Sequence, residues 1–393
     1  MKLWSHNFYW ICETNLWLYA SVYALFIHLP QPTSEAGSEI LWAASLCFIV
    51  GIWLPGLFSA HLMDRIRRKH IYLYTLAGCL LCTLLIPYVD KIALLPVGQE
   101  FSFLQNGMPL IALRLIQGVC YGLALNTGST LSVDITPSPR RDEANTLFMR
   151  LGRTGIGLGI IAAYLSGSFL GHTGIYYFSL AAGTLAFLSA CLLHVPFYAP
   201  IRLPLCSTDR FLLPRVWPEM LNLFFVAAVP GTLAIPLLAD ISTYPEPAER
   251  ILLWGVALAG FIVALFLQHH RKGMFPSTLL PFFGLCAIIA GCIGILFPTQ
   301  LIPFLCGIFL LTAGTELSAA GLLNLFVRIA KHSKRCTAAN SYLLAWESGF
   351  AGGVAIGIGW GNDIDRIPLY CALIALLLFL FFTFRHYKRY KIH

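Results

Sequence analysis

The sequence predicts an all-α protein embedded in a membrane, with twelve transmembrane helices in two bundles of six. Three observations point there. Of 393 residues, 58% are apolar and 11% charged, where a soluble chain carries about a quarter charged residues. The apolar residues fall into runs of roughly 18 to 25, each long enough to span about 30 Å of hydrocarbon as a helix. Lysine and arginine crowd into alternate connections between those runs.

In chain order the runs fall near 8–28, 40–62, 71–89, 104–133, 146–170 and 175–198, then 217–240, 250–268, 276–296, 301–327, 338–360 and 367–385. The first run contains Glu13 and Asn15 and has no small-residue cleavage site after it. It therefore reads as a retained helix and not as a signal peptide. With the N-terminus in the cytoplasm, the inside connections hold Arg65, Arg67, Arg68 and Lys69, then Arg140 and Arg141, Arg202, Arg210 and Arg215. Arg271, Lys272, Lys331, Lys334 and Arg335 follow, with Arg385, Lys388, Arg389 and Lys391 at the tail. Outside fall Lys91, Arg250 and Arg366. This bias is the positive-inside rule, and it predicts a multi-pass protein with both termini cytoplasmic.

The longest inside connection, 199–216, contains Pro200, Pro204 and Pro214. It divides the chain into an N-terminal six-helix bundle, 1–198, and a C-terminal six-helix bundle, 217–393. A faint repeat supports the division: SPRRDEANTLF enters the fifth span and SKRCTAANSYLL the eleventh. Each of those spans then carries glycines in four-residue steps, Gly155 and Gly159 in the fifth, Gly353 and Gly357 in the eleventh. Such spacing forms a groove along one helix face, where a neighbouring backbone can approach closely.

Charges inside the runs are few. Arg114 sits in the fourth run, and an arginine there either lines a polar path or snorkels to the interface. Arg150 and Arg153 lie within two turns of the start of the fifth run and can reach the interface. Glu13 is shallow, roughly 8 Å in, whereas Glu316 and Glu347 lie roughly 13 to 18 Å deep at the helical rise. A carboxylate near the midplane must hold a proton, find a partner or meet water. Glu347, Glu316 and Glu13 are therefore the proton-carrier candidates, with Glu347 preferred because it faces the start of the eleventh run's glycine stripe. A permanently paired structural glutamate is the alternative.

The stretch from Arg114 to Asn145 organises the rest. It begins Arg-Leu-Ile-Gln-Gly, runs to Asp134, breaks at Pro137 and Pro139 and ends in Arg140 and Arg141. Earlier, AHLMDRIRRKH places Asp64, Arg65, Arg68 and Lys69 between the second and third runs. Together these motifs resemble the major facilitator superfamily of secondary transporters, most like its drug-proton antiporter branches. Ala60 and Arg67 stand where that pattern has glycines, and Gly155 is followed by Ile156 where the antiporters have proline. The resemblance implies the two-bundle fold with parallel repeats and transport of a small molecule by alternating access. It implies proton-coupled export, with nutrient import (a sugar or organic acid) or a non-transporting sensor as alternatives. It implies a cytoplasmic gate at Asp64, Arg65, Arg68, Asp134 and Arg141, and a sliding seam along the fifth and eleventh helices. It also implies a central cavity lined by the first, fourth, seventh and tenth helices, with Asn15, Tyr23, Arg114, Gln117, Tyr121, Asn126 and Asn222 as substrate candidates. A monomer in the plasma membrane, the inner membrane in a bacterium, is the expected setting.

Other classes find no support. No phosphate-binding loop or zinc-protease motif occurs, so no enzyme activity, metal or cofactor is expected. The twelve cysteines lie mostly in apolar runs, without the context of a disulfide scaffold. Cys79 and Cys82 read as packing residues. The net charge of +8 is explained by the inside loops, so no nucleic-acid partner is expected.

Overall fold

The computed structural model describes residues 5–26, 37–89, 102–195, 204–243, 247–270, 278–331, 334–359 and 366–390. Every regular element among them is helical. By contact the chain separates into two units, Met1–Leu213 with Lys334–Asn340, and Pro214–Ser333 with Ser341–His393.

The first unit holds α1 (His6–Phe26), α2 (Gly37–Trp53), α3 (Gly56–Arg65), α4 (Arg68–Leu85), α5 (Ser102–Asp134), α6 (Arg141–Leu170) and α7 (His172–Cys191). Helices α2 and α3 are one apolar run broken at Leu54 and Pro55, with a bend of 46°. Pro55 has no N–H to continue the ladder. The last bond before it is Leu54 N–H to the Val50 carbonyl, and the next helix starts with Phe58 N–H to the Pro55 carbonyl. The α3–α4 turn is made by Ile66 (φ −108°, ψ 144°) and Arg67 (φ −55°, ψ 122°). Both are extended conformations open to any residue, which is why Arg67 can stand where the resembling family has glycine. Between α6 and α7 the chain turns on Gly171, with φ 68° and ψ −167°, a region that is essentially glycine's alone.

The second unit holds α8 (Trp217–Thr243), α9 (Pro247–His270), α10 (Leu279–Ile295), α11 (Leu301–Ile329) and most of α12 (Arg335–Gly359). It ends with α13 (Ile367–Leu378), which passes through a π-helical turn, Phe379–Thr383, into α14 (Phe384–Tyr390).

Counting α2–α3 and α13–α14 as single runs, these helices occupy the positions of the twelve expected spans. By length and composition eight described helices can cross a membrane, or nine with the bent pair. The others are α1, α10 and α12. Helix α10 is 17 residues as described. Helices α1 and α12 are less apolar because they carry Thr14, Asn15 and Ser21, and Asn340, Ser341, Glu347 and Ser348, all buried. Their polar groups face other helices, so lipid does not demand their replacement. Residues 27–28, 196–203, 276–277 and 360 of the expected spans and linker lie outside the described residues, as do Lys91, Arg202, Arg271, Lys272 and Lys391.

Glycine decides which helices pair most closely. In the first unit Gly155 meets Leu16 and Tyr19, and Gly159 meets Ala20, so α6 lies against α1. In the second, Gly349 meets Phe224 and Gly353 meets Ala228 and Thr232, so α12 lies against α8. Gly357 continues the row opposite Thr232. Each glycine stripe therefore packs against the first helix of its own unit. Close backbone approach of this kind replaces the hydrophobic drive that lipid does not supply. Polar clasps add to it: Ser21 and Ser179 each donate a hydroxyl to the other's carbonyl at 2.7 Å, tying α1 to α7.

Candidate functional site

Arg114 lies on α5 and is fully buried. Its Nη1 donates to Gln117 Oε1 at 2.6 Å, one helical turn on. Gln117 Nε2 in turn donates to Thr83 Oγ1 of α4 at 3.3 Å, and the Thr83 hydroxyl donates to the Cys79 carbonyl at 3.0 Å. This thread fixes the Gln117 amide with its oxygen toward the arginine. The Phe26 and Phe48 rings lie 4.4 and 4.5 Å from the guanidinium carbon and 4.8 Å from each other. A triangle of that shape puts both rings on one side of the group, where cation–π attraction offsets part of the lost hydration.

The aromatic cluster continues beyond those two rings. Tyr121 is 5.6 Å from Phe48 and 5.9 Å from Tyr19, and Tyr19 stacks on Tyr23 at 5.8 Å. Arg114, Gln117, Tyr121 and Tyr23 are thus gathered in one place by α1, α2 and α5. Arg114 Nε and Nη2 are buried with no hydrogen-bond partner among the described residues.

The other candidates for the substrate cavity have different neighbours. Asn15 Nδ2 donates to the Phe148 carbonyl at 2.9 Å, joining α1 to α6. Asn126 Nδ2 donates to Ser59 Oγ at 2.7 Å, and its Oδ1 accepts from Asn340 at 2.5 Å. Asn222 belongs to the second unit, where its Nδ2 donates to the Ala375 carbonyl at 2.6 Å.

A second cluster surrounds the α3–α4 turn. Arg68 pairs with Asp134 at the end of α5, both side chains largely shielded. Asp64 is half-buried, while Arg65 and Arg141 are exposed. Arg141 Nε reaches the Thr136 carbonyl at 3.4 Å. Arg210, in the connection, joins this group. Its backbone N–H donates to Thr337 Oγ1 at 3.1 Å and its carbonyl accepts from Asn340 Nδ2. These bonds hold a non-glycine residue at φ 61°, a conformation that side chains disfavour. Burial, and after it the charge of Arg68, push the Arg210 guanidinium below its usual range, while Asp134 and Asp64 pull the other way.

Of the proton-carrier candidates, Glu316 sits midway along α11 and Glu347 midway along α12, both buried. Gln268 Nε2 lies 3.5 Å from Glu316 Oε1 and donates to the Glu316 carbonyl at 3.3 Å. Glu13 is half-buried, with one carboxylate oxygen unpartnered among the described residues. Arg153 is buried, where a side chain reaching the interface was expected.

Sequence reasoning missed three residues. Glu219 is fully buried and bonded by His386 Nδ1 at 2.9 Å. Its place in the first turn of α8 disguised it as a routine N-terminal acid. Arg210 and Asn340 gave no local signal, since their partners are distant in sequence.

Comparison with known proteins follows the same lines. A family model described as Major Facilitator Superfamily matches residues 10–354. An uncharacterized MFS-type transporter YtbD of Bacillus subtilis (strain 168) is 26% identical over 162 residues. The match covers 38% of this chain and 39% of that relative. Among solved structures, a D-xylose-proton symporter superposes with TM-score 0.69 at 15% identity, covering 94% of this chain and 95% of its own. An outward-facing bacterial homologue of the iron transporter ferroportin gives TM-score 0.65 at 12% identity, covering 97% and 99%. At these identities the likeness is one of fold.

Proposed function

As the chain belongs to the Major Facilitator Superfamily, we propose that it moves a small solute across the membrane by alternating access, coupled to protons and directed outward. Secondary transport is the family's activity. The observation that carries the coupling is the burial of Glu316 and Glu347 midway along α11 and α12. A carboxylate in such a place can exchange its proton with one side and then the other as access alternates, so its occupancy can be linked to that of the solute. Glu347 is the preferred carrier and Glu316 the second. The export direction rests on the Arg114-x-x-Gln117-Gly118 motif and the antiporter branches it resembles.

One observation favours the opposite direction: Ile156, and not proline, follows Gly155. Proton-coupled import of a nutrient uses the same parts reversed, and one protein of this fold is named a D-xylose-proton symporter. Proteoliposomes holding a pH-sensitive dye decide between the readings. Antiport moves protons against the solute, symport moves them with it, and the Glu316→Gln/Glu347→Gln double variant should lose the proton flux while keeping solute exchange. A double variant with full proton flux removes both glutamates from the mechanism. A native protein that moves no solute in either direction rejects transport in favour of a sensor.

A further inference from the structure

We infer that Arg114 is the receptor for the carboxylate of a monoanionic organic substrate with an apolar body. This deepens the transport reading and rests on it. A buried cation needs a counter-charge or a full set of acceptors, because its hydration has been stripped. Arg114 has neither among the described residues. Its hydrogen bond to Gln117 engages Nη1 alone, and the two rings supply only the weak field of their faces.

What remains open is specific. Nε and Nη2 form the side edge of the guanidinium, where two N–H bonds run parallel. Those are the two nitrogens without a partner. Two parallel donors match the two oxygens of a carboxylate, the bidentate geometry that arginine offers and lysine does not. The edge is also held in place. The Gln117 amide is itself anchored on Thr83, so the guanidinium cannot swivel to satisfy its own donors without breaking that thread.

The surroundings narrow the ligand further. One cation with no second basic partner among the described residues balances one negative charge, and a dianion would bury an uncompensated one. Beyond the guanidinium lie Phe26, Phe48, Tyr23, Tyr19 and Tyr121, an aromatic wall suited to an apolar or aromatic body. A small inorganic anion would leave that wall unused.

The test is thermal unfolding of the purified full chain in detergent, with benzoate, benzamide or chloride as the probe. A ligand bound to the folded state raises Tm by mass action. Benzoate should bind at least about tenfold more tightly than its neutral isostere benzamide, since only the anion makes charge-assisted bonds to both donors. Arg114→Lys, which keeps the charge but loses the fork, should weaken benzoate about tenfold, and Arg114→Met should abolish its effect. Without ligand, Arg114→Met should unfold at or above the native Tm, because it removes a buried charge that has no counter-charge among the described residues. Equal shifts from benzoate and benzamide would overturn the inference. So would chloride acting as strongly as benzoate, no shift from benzoate, or an Arg114→Met chain that melts well below the native one in the absence of ligand. Because no proton gradient is involved, failure here leaves the proton-flux experiment free to succeed.

Discussion

Gly159→Ala on α6 adds one carbon where two helix backbones meet. A Cβ at that position would lie 2.5 Å from the Ala20 carbonyl oxygen, 2.9 Å from its Cα and 3.1 Å from its carbonyl carbon. Non-bonded heavy atoms reach favourable contact at about 3.5 Å, so α1 and α6 must part by roughly half an ångström to an ångström. All three obstructing atoms are backbone and cannot turn aside. Overpacking of this kind costs about 1–3 kcal/mol, against about 0.4–1 kcal/mol that alanine gains over glycine in a helix. The net loss is about 1–2 kcal/mol, or roughly 2–8 °C in Tm for a unit of this size. Two residues away, Gly157 is exposed and a Cβ there would meet nothing within 4 Å. Gly157→Ala should therefore raise Tm by a few degrees on propensity alone. Scanning fluorimetry of the two purified variants beside the native chain checks the pair. Equal shifts of the same sign would refute the claim that close approach, and not glycine's flexibility, is what position 159 requires.

Two further outcomes follow from the first unit. Arg68→Met and Asp134→Leu should each destabilise the protein, and the double variant should lose less than their sum, a coupling of about 1–3 kcal/mol in a double-mutant cycle. An additive cycle would show that the pair contributes nothing of its own. Gly171→Ala should cost about 1–3 kcal/mol through its backbone conformation alone, although a Cβ there would meet nothing within 4 Å. A melting temperature unchanged by that substitution would contradict the strain.

The spans and the four-residue glycine rows were legible because each has a local cause, run length or spacing. The break at Pro55 inside the second run and the helices that the glycine rows meet were not anticipated. Arg114, Gln117 and Tyr121 come together because they share one stretch of α5, so depth and helix face alone bring them near. Asn15, Asn126 and Asn222 were equally polar, yet each bonds a neighbouring helix: the Phe148 carbonyl, Ser59 and Asn340, and the Ala375 carbonyl. Residue type within an apolar run says that such a side chain must find a partner but not which one. The Glu219–His386 bond joins residues 167 apart and the Asn126–Asn340 bond residues 214 apart. No periodicity encodes such separations, and only the folded packing selects them.

The paired glycine contacts have a practical meaning beyond packing. Leu16 and Ala20 face Gly155 and Gly159 in one unit as Phe224 and Ala228 face Gly349 and Gly353 in the other. The match in spacing applies one steric rule twice, with different side chains around it. The chain thus carries its own replicate. A substitution at Gly159 can be read beside the same substitution at Gly353, in the same preparation method and the same detergent. Whatever differs between them belongs to the local surroundings, and whatever agrees belongs to the shared backbone contact.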